Sequence, residues 1–75
     1  MKKILSNTRQ EYDLFEEQAG TLILSLLCGS IGLYEVRIRL SDAEVVSFRD
    51  EGESYLDRLV TQVRQNETAF SDRFI

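Results

Sequence analysis

Hydrophobic residues recur along this chain with two different periods. Residues 21–40 follow the shorter one and read as a β-hairpin. The first arm, Thr21 to Cys28, is nearly continuous in apolar side chains. The second, Leu33 to Leu40, alternates apolar and polar with a period of two. A two-residue loop at Ser30 and Ile31 would set Leu22, Leu24 and Leu26 on the face of Glu35, Arg37 and Arg39. A three-residue loop that adds Gly32 sets them with Tyr34, Val36, Ile38 and Leu40 instead, which makes one wholly apolar face. Register follows the apolar pattern. The sequence therefore predicts Leu24 opposite Ile38 and Leu26 opposite Val36, with Gly32 supplying the positive φ of a type I turn plus bulge.

The longer period appears nearer the C-terminus. Val45, Phe48, Gly52, Tyr55, Leu56, Leu59 and Val63 are spaced by three, four or seven and fall within an arc of about 100° on a helix. Ser41-Asp42-Ala43-Glu44 precedes them as a capping box, in which Ser41 and Glu44 satisfy two orphan backbone N–H groups. One long helix, about 42–65, is expected to lie on the apolar face of the hairpin. Gly52 costs up to about 1 kcal/mol inside a helix relative to alanine. Its place on the buried arc predicts a close approach of helix to sheet, with a kink as the alternative. Glu44 to Arg49 also has the β-propensity of a third strand, but the capping box and the unbroken helical face argue against it.

The first twenty residues support two readings. Ile4, Thr8, Tyr12, Phe15 and Ala19 share a helical face, Asn7 with Gln10 can cap it and Gly20 can end it. Alternatively, Glu11 to Phe15 forms an edge strand on the first hairpin arm. The Glu- and Gln-rich composition favours the helix. Asn66 is a plausible helix stop, and Phe70, Phe74 and Ile75 form a short apolar tail expected to pack on the core. The fold class is thus α+β: a small antiparallel sheet built on the 21–40 hairpin, one long helix, and an N-terminal helix or edge strand, all within the single small domain 1–75.

At 75 residues the chain buries only about 60% of its unfolded surface, so self-association would add stability. One cysteine, Cys28, permits no intrachain disulfide and fits a reducing cytosol. The two apolar residues after Met1-Lys2-Lys3 are too few for a secretory segment. The run Leu22 to Cys28 is far too short to span a membrane. Thirteen acids against nine bases, a net charge of −4, argue against non-specific nucleic-acid binding and suit a basic protein partner.

The chain has no histidine, so Ser–His and Cys–His pairs and ordinary His/Cys zinc sites are excluded. No phosphate-binding or metalloprotease motif is present, and the Gly29-Ser30-Ile31-Gly32 glycines are needed for the turn. Cys28 has no cationic sequence neighbour to activate it and reads as a core residue. No cofactor or metal is expected.

The carboxylates carry more interest. Asp42, Glu44, Asp50, Glu51, Glu53 and Asp57 stand against the single base Arg49 between Ser41 and Asp57. On a continuous helix, Asp50, Glu53 and Asp57 form one outward strip. Like charges at that spacing cost a few tenths of a kcal/mol per pair (~0.3), and early acids suit a helix N-terminus. That electrostatic benefit covers Asp42 and Glu44 but not Asp57.

The other hairpin face pairs Ile23, Ser25 and Leu27 with Glu35, Arg37 and Arg39. Left open, it is a candidate dimer face or basic patch. These features predict a cytosolic, non-enzymatic, homodimeric interaction protein of regulator, inhibitor or immunity type. It would bind a basic partner through Asp50, Glu51, Glu53 and Asp57. The alternative is a nucleic-acid-binding module using Arg37 and Arg39.

Overall fold

The computed structural model describes residues 2–29 and 32–75. Four strands, β1 (Lys2–Asn7), β2 (Tyr12–Glu16), β3 (Leu22–Cys28) and β4 (Tyr34–Arg39), form one antiparallel meander in that spatial order. Three helices follow: α1 (Asp42–Glu51), α2 (Glu53–Gln65) and the single turn α3 (Glu67–Phe70). The architecture is α+β, as expected.

The hairpin register is as predicted, with Leu24 opposite Ile38 and Leu26 opposite Val36. Gly32 has φ +73°. Ser30 and Ile31, the other two residues of the expected loop, lie outside the described residues. Leu22, Leu24, Leu26, Val36, Ile38 and Leu40 form the apolar sheet face and meet Leu56, Leu59, Val60 and Val63 of α2.

The favoured N-terminal helix is not formed. Residues 2–16 make a β-hairpin that extends the sheet, with Leu14 opposite Leu24 and Tyr12 opposite Leu26. The reason lies in β3. Its residues Leu22, Ile23, Leu24 and Leu26 are at most 2% exposed, so backbone groups on both its sides need partners. β4 satisfies one side, and only another strand can satisfy the other. The Asn7–Gln10 pair read as a helix cap is a turn bond: the Gln10 N–H donates to Asn7 Oδ1 over 2.9 Å.

The capping box is present: the Glu44 N–H donates to Ser41 Oγ (3.2 Å) and the Ser41 N–H to Glu44 Oε1 (2.7 Å). The single long helix, however, is broken. Gly52 adopts φ +73°, ψ −146°, closing α1 through its N–H to the Phe48 carbonyl (2.6 Å) and opening α2. No atom lies within 4 Å of where a Cβ would sit on Gly52. Close approach therefore does not explain this glycine, and the kink alternative does. A straight helix over 42–65 would run about 36 Å, as long as the whole molecule's greatest extent of 35 Å. The break lets Val45 and Phe48 of α1 and the α2 stripe each pack on the core.

The apolar tail packs in part. Phe70 and Phe74 contact the core, whereas Ile75 is 61% exposed. Phe74 bridges to Ile38, and the Ile75 N–H donates to the Arg37 carbonyl over 2.8 Å. The C-terminus thereby occupies part of the β4 edge.

Candidate functional site

The break at Gly52 divides the acidic strip. Asp50 and Glu51 end α1, while Glu53 and Asp57 belong to α2. Asp50 is exposed and has no side-chain hydrogen bond or ion pair among the described residues. Glu51 pairs with Arg58 at 2.5 Å. Glu53 Oε2 accepts from Asn7 Nδ2 at 2.5 Å. Asp57 Oδ1 accepts from the Tyr12 hydroxyl at 2.8 Å. The strip is therefore not uniformly outward: Asp57 turns toward the β1–β2 hairpin and is half-buried. Tyr12 is 3% exposed. Burial, reinforced by the Asp57 carboxylate, pushes its hydroxyl well above the usual phenol range.

The fold nevertheless separates charge between its layers. Residues 1–40, which build the sheet, carry five acids and five bases; residues 41–75, which build the helical layer, carry eight acids and four bases. The whole net charge of −4 resides in the helical half. Two of its four bases are engaged inward. Arg64 donates to the carbonyls of Leu27 (2.8 Å), Gln10 (2.6 Å) and Glu11 (3.2 Å). Arg73 donates to Glu44 and to the Arg39 carbonyl (2.8 Å). Burial opposes the charge of Glu44, but the Arg73 guanidinium and the Ser41 N–H outweigh it and hold its carboxyl below the usual range. Asp42, Asp50, Glu51 and Glu53 remain on the outer surface. Neither Arg64 nor Arg73 stands out in the sequence, because each is a single arginine in a polar segment whose acceptors are distant in the chain.

The N-terminal segment extends the sheet rather than covering its opposite face. Three rows cross this face. Lys3, Phe15, Ile23 and Arg39 lie in one. Ser6, Asp13, Ser25 and Arg37 lie in the next. Leu27 and Glu35 form the third, with Glu11 beside them. Ile23 is 1% exposed and Ser25 4%, so the centre of this face is already buried within the single chain. Lys3 and Arg37 stand over the Phe15 ring at 5.8 and 6.0 Å from its centroid. Beside them opens a groove of about 480 Å³ whose lining includes Ser6, Glu11, Asp13, Ser25, Leu27 and Glu35. Arg37 is tied to Glu35 at 3.1 Å. With Lys3, Arg37 and Arg39 set against Glu11, Asp13 and Glu35, this face lacks the basic excess that a nucleic-acid surface needs.

Cys28 lies on the core face and is 2% exposed. Burial, and next the neighbouring Glu67 carboxylate, push its thiol up to about 11. That is the opposite of what nucleophilic cysteines require. Among the described residues no group of three or more His, Cys, Asp or Glu is placed to hold a metal ion. No family model matches the chain, and comparison with curated proteins and with solved structures finds no match.

Proposed function

We propose that this protein is a small non-enzymatic interaction module that binds a basic protein partner through the outer surface of its helical layer, with Asp50, Glu51 and Glu53 as the central contacts. The observation that supports this reading is the concentration of the entire net charge in residues 41–75. Two of the four arginines of this half, Arg64 and Arg73, are turned onto backbone carbonyls and Glu44, which leaves the exposed Arg49 and the Glu51-paired Arg58 as the only bases among the outer acids. Asp57 supports the surface from beneath by holding Tyr12. A surface with an excess of acids steers an oppositely charged partner and makes association salt-dependent. A single buried thiol suits a reducing compartment such as the cytosol, and no helix among the described residues is long and apolar enough to cross a membrane.

The test is a pull-down from lysate with wild-type bait beside a bait carrying Asp50→Lys, Glu51→Lys and Glu53→Gln, the last retaining an acceptor for Asn7. Both baits are checked for folding by circular dichroism, and captured proteins are identified by mass spectrometry. A basic protein held by the wild type, lost by the variant and released by salt supports the reading. Equal capture by both baits removes it.

A further inference from the structure

We propose that the groove over Ser25 binds an alkylammonium group, held by the Glu11 carboxylate and the Ser25 hydroxyl with its methylene chain along Leu27. The site lies on the sheet, apart from the acidic helical layer, and the inference does not depend on the function proposed above.

β3 is apolar from Leu22 to Cys28 except at Ser25. At 4% exposed, Ser25 is the one buried polar residue among those described. Its hydroxyl makes no hydrogen bond to any described residue, yet no fully enclosed side-chain oxygen or nitrogen lacks a partner. The small accessible part of Ser25 therefore includes Oγ, and the groove of about 480 Å³ is the space it opens onto. A hydroxyl set among apolar neighbours needs a partner, and a groove of this volume has the size of a small-molecule site.

The charges lining the groove form two settled pairs and one remainder. Lys3 pairs with Asp13 at 3.8 Å, and Glu35 pairs with Arg37 at 3.1 Å. Glu11 also lines the groove, and its carboxylate enters no ion pair or hydrogen bond among the described residues. With both pairs set aside, one negative charge is left without a counter-ion.

The backbone beneath that charge is fixed. Glu11 has φ +60° and is the only non-glycine residue with positive φ among those described. The Leu27 N–H donates to its carbonyl over 3.1 Å and Arg64 over 3.2 Å. Glycine or asparagine would adopt this conformation with less strain, so a glutamate here costs stability and places a carboxylate at the groove.

Leu27 stands two residues beyond Ser25 on the same face of β3, joined to Glu11 through that backbone hydrogen bond. A chain that reaches Glu11 with a cationic head thus lies along the half-buried Leu27, and Ser25 Oγ accepts a further N–H. Two acceptors beside an apolar side chain suit an ammonium with a short aliphatic body. They do not suit a hard metal ion, which takes about six or more oxygens.

The wild type is titrated at pH 7 with butylamine and followed by its backbone amide NMR signals. Shifts are expected at Ser6, Glu11, Ser25 and Leu27, with a dissociation constant of about 1 mM or tighter. Butanol, the same chain without the charge, should bind at least about tenfold more weakly. Ser25→Ala and Glu11→Gln should each weaken butylamine binding about tenfold. Glu17→Gln removes the same charge from an exposed position at the other end of β2 and should leave binding unchanged. The variants' own spectra report whether they fold, and Glu11→Gln, at an exposed position, serves if Ser25→Ala does not. Nα-acetyl-lysine methylamide presents the same ammonium on a peptide, so the tighter of the two ligands names the source as a free amine or a protein lysine. Absence of binding by either at about 10 mM overturns the proposal. So do shifts centred on Asp50, Glu51 and Glu53, butanol binding as tightly as butylamine, or Ser25→Ala and Glu11→Gln variants that bind like the wild type.

Discussion

The hydroxyl of Tyr12 donates to Asp57 across 2.8 Å, joining the second strand to the second helix over 45 residues of sequence. Asp57 is thereby the acid of the predicted strip with the clearest structural duty. Truncating it leaves a buried hydroxyl without its acceptor. Asp57→Ala is expected to cost about 1–3 kcal/mol, and Asp57→Asn, which keeps an acceptor, less. Asp50→Ala should stay within about 0.5 kcal/mol of wild type. Urea denaturation of the three variants checks this, and a cycle with Tyr12→Phe measures the coupling.

Gly52 offers a test by sign. Within a continuous helix, replacing glycine by alanine would stabilise by up to about 1 kcal/mol. At φ +73°, ψ −146° an L-residue is strained, and Gly52→Ala should destabilise by about 1–3 kcal/mol, although the space for a methyl group is open. Thermal unfolding distinguishes the two signs.

Cys28 should label slowly with iodoacetamide in the native protein at pH 7–8, at a rate limited by opening of the fold. Its folded value of about 11 lies above the ordinary value of 9.0. The folded state therefore favours the protonated thiol. The stability this group contributes is present below about pH 9 and is lost as pH rises through about 11. The stability difference between wild type and Cys28→Ala should narrow over that window. Rapid native labelling at pH 7 would contradict the buried thiol.

Glu44 works in the opposite direction. Its folded value is depressed by Arg73 and the Ser41 N–H against the cost of burial. Its contribution is present above the unfolded carboxyl value, about 4.3, and is lost as pH falls through the lower folded one. Glu44→Gln should be less stable than wild type at pH 7, by about 1–2 kcal/mol, with the difference shrinking below pH 4. Acid titrations of both proteins followed by circular dichroism measure it. Arg73→Ala should show the same loss at pH 7.

Where local patterns carried the decisive information, the chain sufficed. The alternation of Tyr34, Val36, Ile38 and Leu40 against Leu22, Leu24 and Leu26 set the hairpin register, because a slip of one residue would bury Arg37 and Arg39. Ser41 and Glu44 marked the start of the first helix, because a capping box closes within four residues. The α+β class followed from those two elements. Tertiary context decided what local patterns left balanced. Ile4, Thr8, Tyr12 and Phe15 suit a helix in isolation, yet the buried backbone of β3 required a strand beside it, and that demand is visible only once β3 is placed. Gly52 was conspicuous, but whether it marked a close approach or a break depended on the size of the body the helix must cover. The acids divided for the same reason. Spacing alone put Asp50, Glu53 and Asp57 on one strip, whereas the break and the position of Tyr12, set by the sheet, turned Asp57 inward. A sequence specifies which side chains can share a face of one element; which neighbour meets that face depends on how the elements fill space together.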